Sequence, residues 1–260
     1  MTATDKLAGM ARPACPGLLI TGTDTEVGKT VITCAMAAAL RKEGVDVAVS
    51  KPMASGCRRE REGLVNPDAE ALAHFSDCRE PLEVINPVRF EAPLAPAVAA
   101  DRLSTSIDYE AIGESFERLG THEALLVEGV GGLEVPLDPV DMSMTVLALA
   151  AWLGYPAVVV SRPGLGTLNH TTLTVRALER AGVEVVGVVI NGHDPDAAHD
   201  DPSRVDNREW IKRMTGCEVL AMVPRSEPEA TVPEKGEIAP EILSAVASVH
   251  WSSRLGSSPS

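Results

Sequence analysis

Aromatic residues are scarce in this chain: three Phe, three Trp and two Tyr among 260 residues. That is too few for the stacked-ring platforms that hold single-stranded nucleic acid. Positive charge is also short, with 23 Lys and Arg against 37 Asp and Glu and a net charge of −14. So acidic a surface repels phosphodiester backbones and anionic lipid headgroups, which argues against nucleic acid or membrane as the main partner. No apolar run approaches the about 20 residues that span a bilayer; the longest extends from Thr145 to Tyr155. The opening Met1-Thr-Ala-Thr-Asp-Lys lacks the basic and apolar regions of a signal peptide. Cys15, Cys34, Cys57, Cys78 and Cys217 include no Cys-x-x-Cys pair, and the six histidines show no ligand spacing. Neither a disulfide framework nor a zinc ribbon fits, and the expectation is a reducing compartment, the cytoplasm.

What the chain does contain is core material, 45% hydrophobic residues against 23% charged, as in an ordinary globular domain. Short Val/Leu/Ile-rich runs stand at Gly17–Gly22, Val45–Ser50, Ala124–Val127, Ala157–Val160, Val183–Ile190 and Val219–Val223. They lack polar alternation, as strands buried on both faces do. Helical patterns fill the gaps at Lys29–Glu43, Asp68–Phe75, Tyr109–Leu119, Met144–Leu153, Leu168–Ala181 and Val205–Met214. The order predicts an α/β fold, a mostly parallel sheet sandwiched by helices in a single domain. Residues 17–250 form that domain in this reading, with a flexible extension over 1–16 and a Ser-rich disordered tail over 251–260. Arg58 to Gly63 reads as a mixed-charge loop, and His193 to Glu209 as an acidic surface insertion carrying Pro195 and Pro202.

Between the first strand and the first helix lies Gly22-Thr-Asp-Thr-Glu-Val-Gly-Lys29-Thr30. A strand, a turn and Gly-Lys-Thr opening a helix is the setting of a phosphate-binding loop, so the fold is expected to be a P-loop fold. Backbone N–H groups and the positive helix end cradle phosphates, Lys29 reaches the β- and γ-phosphates, and the Thr30 hydroxyl suits Mg²⁺. The literal pattern is not met, because Thr23 stands where the first glycine belongs. A plain Gly/Thr turn with a capping Thr is the alternative. Glu128 follows a buried strand and precedes Gly129-Val130-Gly131-Gly132. It is either a ligand-crevice carboxylate or a strand cap. Asp68 reads from position alone as a first-turn helix acid. Lys51 at the second strand's end is equally a site residue or a solvent-facing one, and Ser55-Gly56 a turn.

These segments, together with Lys51-Pro-Met-Ala-Ser-Gly56, Asn66-Pro-Asp-Ala69, Val127-Glu-Gly-Val-Gly-Gly132, Gly166-Thr-Leu-Asn-His170 and Asn191, resemble the dethiobiotin synthetases in order and spacing over about residues 17 to 226. The odd Thr23 belongs to that family's own version of the loop. The resemblance implies ATP-dependent ring closure of 7,8-diaminopelargonic acid with CO₂, giving dethiobiotin, ADP and phosphate. A carbamate formed at one amine attacks the γ-phosphate, and the second amine then closes the urea. It further implies Lys29 and Lys51 as catalytic residues and Thr30, Asp68 and Glu128 as Mg²⁺ ligands. Glu26, Val27, Gly28, Lys29, Thr30 and Val31 then line the nucleotide with Asp68, Glu128, Gly129, Val130 and Gly131. Asn191 and Gly192 are implied at the adenine, with Pro224, Arg225 and Ser226 flanking it. Thr25 and Ser55 are implied at the substrate, as are Gly166, Thr167, Leu168 and Asn169, which in the family come from the partner of a homodimer and hold the substrate carboxylate.

Other users of such a loop fit less well. A ParA/MinD-like regulatory ATPase carries a signature Lys where Asp24 stands, and presents a basic surface or amphipathic helix that this chain lacks. A cobyrinate amidase-type synthetase needs a glutaminase domain for which the chain is too short. A dehydrogenase needs a Gly-x-Gly-x-x-Gly that does not occur.

Overall fold

The computed structural model describes residues 3–61, 63–194 and 196–259. Six segments pair into one sheet: β1 (Gly17–Gly22), β2 (Val47–Ser50), β3 (Ala124–Glu128), β4 (Ala157–Ser161), β5 (Val185–His193) and β6 (Val219–Pro224). All five pairings are parallel, in the order β6-β5-β4-β1-β3-β2. Every residue of β1 to β4 is buried, which is why these runs show no polar alternation. The edge strand β6 instead alternates buried with half-buried positions.

The crossovers use helices α1 (Lys29–Lys42), α2 (Pro67–Ser76), α3 (Tyr109–Leu119), α4 (Val146–Leu153), α5 (Thr167–Arg180) and α6 (Ser203–Thr215), and α7 (Pro240–Ala247) follows β6. Side chains of Asn66, Asp108 and Thr145 accept the first free N–H groups of α2, α3 and α4, from Ala69, Ala111 and Ala148. Each cap fixes where its helix begins. The core joins Leu18, Ile20, Val127 and Val159 of the sheet to Ile32 and Met36 of α1 and Phe116 of α3. All five cysteines are buried free thiols. Among the described residues no helix is long and apolar enough to cross a membrane.

The ends of the chain differ from the expectation of flexibility. Ala3–Ala8 forms a helix, Leu7 and Met10 are buried, and Lys6 pairs with the buried Asp138. The physical reason lies in α3 and the turn after it. A Cβ on Gly113 would come within 3.2 Å of the Ala11 nitrogen, and one on Gly120 within 2.6 Å of the Ala14 nitrogen. Missing side chains there make a groove that the N-terminal segment fills. At the other end Trp251 is fully buried, Ser252–Arg254 makes a 3₁₀ turn and Gly256 pairs with Gly17. Glu43 anchors this segment by accepting the N–H groups of Trp251 and Ser252, both at 3.0 Å. Met1, Thr2, Glu62 of the mixed-charge stretch, Pro195 of the acidic segment, and Ser260 lie outside the described residues. The stretch read as a mixed-charge loop is a short hairpin of Arg58–Glu60 against Gly63–Val65, held on its outer side by Arg58 pairing with Glu60 and Glu70.

Candidate active site

The strand registers decide which side chains meet. Ser50 of β2 lies opposite Val127 of β3, so the next residue of each strand, Lys51 and Glu128, emerge side by side at the carboxyl edge. Glu128 in turn lies opposite Ile20 of β1, two residues before the phosphate loop begins. Lys51 Nζ donates to Glu128 Oε1 at 2.8 Å and also pairs with Asp68, which the first turn of α2 carries. Thr30 Oγ1 donates to the same Glu128 oxygen at 2.9 Å. Lys51 is 6% exposed and Glu128 1%. Burial pulls the Lys51 ammonium toward deprotonation, but Glu128 and Asp68 outweigh it and hold its pKa above the ordinary lysine value. For Lys29 the balance runs the other way: burial, helped by the Lys51 charge, lowers its pKa against the pull of Glu128, Asp68 and Asp24.

The phosphate loop is braced from several sides. Gly28 ends it in the left-handed region, φ +89°, and a Cβ there would lie 2.0 Å from Asn191 Nδ2. Only glycine satisfies both demands. Asn191 of β5 donates to the Val27 carbonyl at 3.0 Å, and Lys29 Nζ donates to the Asp24 carbonyl at 3.0 Å. Glu26 also takes a positive φ of 58°. Val31 continues the first turn of α1.

The second oxygen of Glu128, Oε2, is buried and makes no hydrogen bond among the described residues. Such an atom is costly unless something positive reaches it. With the Thr30 hydroxyl and the Asp68 carboxylate it makes a set of hard oxygen donors, the chemistry that suits Mg²⁺-like cations. No group of three or more His, Cys, Asp or Glu side chains placed to hold a metal ion is found among the described residues; the set here consists of two carboxylates and a hydroxyl.

The structure thus joins Thr30, Lys51, Asp68 and Glu128 directly, and Asn191 to the loop. Gly129 follows Glu128 with its N–H on the Ile20 carbonyl at 2.9 Å, and Gly131 turns the chain with φ +61°. Val130, half-buried, lies between them. Thr25 lines a cleft of about 430 Å³ beside the loop, with walls from Leu133, Val135, Pro136 and Leu173. Ser55 is half-buried on the turn that follows Lys51. Gly166 caps α5 with φ +93°, Thr167 is buried, Leu168 half-buried and Asn169 exposed. Gly192, φ +77°, follows Asn191, and the Arg225 N–H donates to the His193 carbonyl at 2.8 Å, which brings Pro224 to Ser226 beside the end of β5. No hydrogen bond or ion pair among the described residues ties Ser55, the α5 terminus or this last segment to the Lys51 cluster.

Two residues of this edge escaped the sequence reading. Arg162, just after β4, donates to the Thr25 carbonyl at 3.1 Å and lies 3.6 Å from Asp24. Its signal was the one used for Lys51, a cation ending a buried strand. Asn86, 1% exposed, donates to the Lys51 carbonyl at 2.6 Å and so fixes the backbone that presents the lysine. The Asn86-Pro87 pair was its only mark in the sequence.

Comparison with known proteins gives two kinds of likeness. A profile for an AAA domain matches residues 16–231. The ATP-dependent dethiobiotin synthetase BioD of Anaeromyxobacter sp. (strain K) is 46% identical over 209 residues, 80% of this chain and 89% of that protein. The proteins of the same name from Bacillus subtilis subsp. natto and Thermodesulfovibrio yellowstonii are 38% and 37% identical, over 80% of this chain and 87% and 88% of theirs. Among solved structures, the MinC:MinD cell division protein complex of Aquifex aeolicus aligns with a TM-score of 0.54 at 15% identity, covering 89% of this chain and 94% of that one. The septum site-determining protein MinD of Pyrococcus horikoshii, complexed with Mg-ADP, gives 0.53 at 17%, covering 92% and 93%. The latter pair shares the fold alone.

Proposed function

Because this chain belongs to the ATP-dependent dethiobiotin synthetase family, we propose that its buried Lys51–Glu128–Thr30 cluster and the adjoining phosphate loop carry the phosphoryl transfer of that ligase. The enzyme is an ATP-dependent ligase of biotin biosynthesis. Its diamine substrate is 7,8-diaminopelargonic acid, which takes up CO₂ at one amine to give a carbamate. The carbamate oxygen attacks the γ-phosphorus of ATP and ADP departs. The second amine then attacks the carbamoyl carbon, the C–O bond to phosphate breaks, and the urea ring closes.

An oxyanion and a triphosphate repel each other, so the site must supply positive charge before they meet. Lys29 and the loop N–H groups hold the β- and γ-phosphates, with Glu26 to Val31 and Glu128 to Gly131 around them. Lys51 faces the charge that develops between carbamate and phosphate. Thr30, Asp68 and Glu128 would hold Mg²⁺, which would supply positive charge to the phosphate oxygens. Asn191 and Gly192 read the base, flanked by Pro224, Arg225 and Ser226. Thr25 and Ser55 contact the diamine, whose aliphatic chain suits the apolar walls of the 430 Å³ cleft. Gly166 to Asn169 of a partner subunit receives the carboxylate, since a helix N-terminus favours an anion. Leu165 and Leu173, 89% and 60% exposed on either side of that segment, support a homodimer here.

The observation that carries this reading is the buried Glu128 Oε2, which accepts no hydrogen bond among the described residues while Lys51 and Thr30 hold the other oxygen of the same carboxylate. ADP release should depend on both the diamine and bicarbonate. Lys51→Gln should lower kcat far more than it weakens ATP binding, because the charge it meets develops in the transition state. Lost ATP affinity with normal kcat would reduce Lys51 to a nucleotide contact.

A further inference from the structure

The acidic segment after β5 and the first two turns of α6 take no part in that chemistry, yet they grip the loop leading from β4 into α5. Asp201 Oδ2 accepts the Leu165 N–H at 2.9 Å, while its Oδ1 accepts the Ser203 N–H at 3.2 Å and hydroxyl at 2.5 Å. Asn207, 3% exposed, donates to the carbonyls of Pro163 at 2.7 Å and Gly164 at 3.3 Å. A Cβ on Gly164 would lie 2.7 Å from Asp201 Oδ2, so the two segments touch with no room between them. The Thr167 N–H then donates to the Gly164 carbonyl at 3.2 Å, so pinning Gly164 also sets the first turn of α5. A turn with two glycines would otherwise lose much conformational freedom each time a ligand ordered it. The Asp201 charge is met by those donors and by Arg204, 3.6 Å away.

We propose that Asp201 and Asn207 are positioning residues of the ligase, holding the amino end of α5 in the orientation that receives the diamine's carboxylate. This rests on the reading that Gly166 to Asn169 is the carboxylate's site. The loop is fixed before substrate arrives, so the ordering cost falls on folding rather than on binding.

The test uses Asp201→Ala and Asn207→Ala in the full chain, with Asn169→Asp as the control for the underlying reading. Three quantities are measured: KM for 7,8-diaminopelargonic acid and for its methyl ester, which lacks the carboxylate charge; KM for ATP with kcat; and amide exchange of the peptide around Leu165. Each latch variant should raise the KM of the acid about tenfold, the scale of one lost charge-assisted hydrogen bond. The ester KM, ATP KM and kcat should not move, and exchange at Leu165 should accelerate. A merely structural role would not distinguish acid from ester. If exchange accelerates but the acid KM holds while Asn169→Asp raises it, the latch does not position the substrate and the proposal fails alone. If Asn169→Asp also leaves it unchanged, the carboxylate reading fails with it. Unchanged exchange overturns the latch itself. Asp201→Ala, at the half-exposed position, decides the matter if Asn207→Ala does not fold.

Discussion

Replacing Lys51 by Met should destabilise the nucleotide-free protein strongly, and the structure indicates by how much. Lys51 is 6% exposed, and its partner Glu128, 1% exposed, keeps only the Thr30 hydroxyl once the lysine is gone. Removing one member of a buried ion pair costs about 3–5 kcal/mol, mostly for the charge left behind. The second pair, to Asp68, adds little, because that side chain is 41% exposed and water takes over its solvation. We therefore expect about 3 kcal/mol, which in a domain of this size lowers Tm by about 6–12 °C. Glu128→Gln alone should cost about 1–2 kcal/mol, since the lysine left behind retains Asp68. In the double variant neither charge is stranded, so the losses should fall short of additivity by about 2 kcal/mol. Urea unfolding of the four proteins without nucleotide measures that coupling. A coupling below about 0.5 kcal/mol would make this buried pair no stronger than a surface one and refute the reasoning.

Thr30→Ala deletes one oxygen donor and leaves Lys29 in place, so activity should fall on the order of 10²–10³ at ordinary Mg²⁺ and recover partly as Mg²⁺ is raised; a rate indifferent to Mg²⁺ would remove Thr30 from the donor set. Two inactive chains, Lys51→Gln and the pair Thr167→Pro with Asn169→Asp, should regain up to roughly a quarter of native activity after subunit exchange if the site is shared across a dimer. A fully active monomer, or no recovery after verified exchange, would exclude that sharing. Asp138, buried, is held at a pKa of about 2 against the opposing effect of burial by Lys6, the N–H groups of Asp141 and Val140, and the Tyr109 hydroxyl. Its folded pKa is depressed, so its stabilisation is present above the ordinary value near 3.8 and disappears as pH falls through about 2. Urea midpoints of Asp138→Asn should therefore lie below the parent's at pH 6 and converge with them near pH 2; a constant gap would contradict the assignment.

The sheet was legible because strands buried on both faces leave uninterrupted Val/Leu runs, and the phosphate loop because Gly28-Lys29-Thr30 stands between a strand and a helix. Asp68 was not legible from the residues alone. Its spacing fits a helix-start acid, and only the folding of α2 against the end of β2 brings it to Lys51. The N-terminal segment escaped because what holds it is an absence, the missing Cβ atoms of Gly113 and Gly120 about a hundred residues away. The acidic segment read as a surface insertion for a similar reason: its contacts run from side chains to a distant backbone, and backbone partners leave no trace in a residue pattern. The 58–65 hairpin is short and polar, with too few apolar positions to declare a period.

The bond from Asn191 to the Val27 carbonyl carries a consequence for nucleotide choice. A carboxamide offers two N–H donors on one side and an oxygen on the other, and it can meet a ligand either way round. Here one donor is already committed to the phosphate loop, at 3.0 Å, so turning the amide over forfeits about 1 kcal/mol. On the proposed reading that Asn191 contacts the adenine, an incoming base would meet a group of fixed polarity. A base whose donor and acceptor run in the opposite order is disfavoured about fivefold before any other contact forms. Under that reading, retuning the base preference at Asn191 would also unfasten the phosphate loop, so the two properties could not be changed independently at this position.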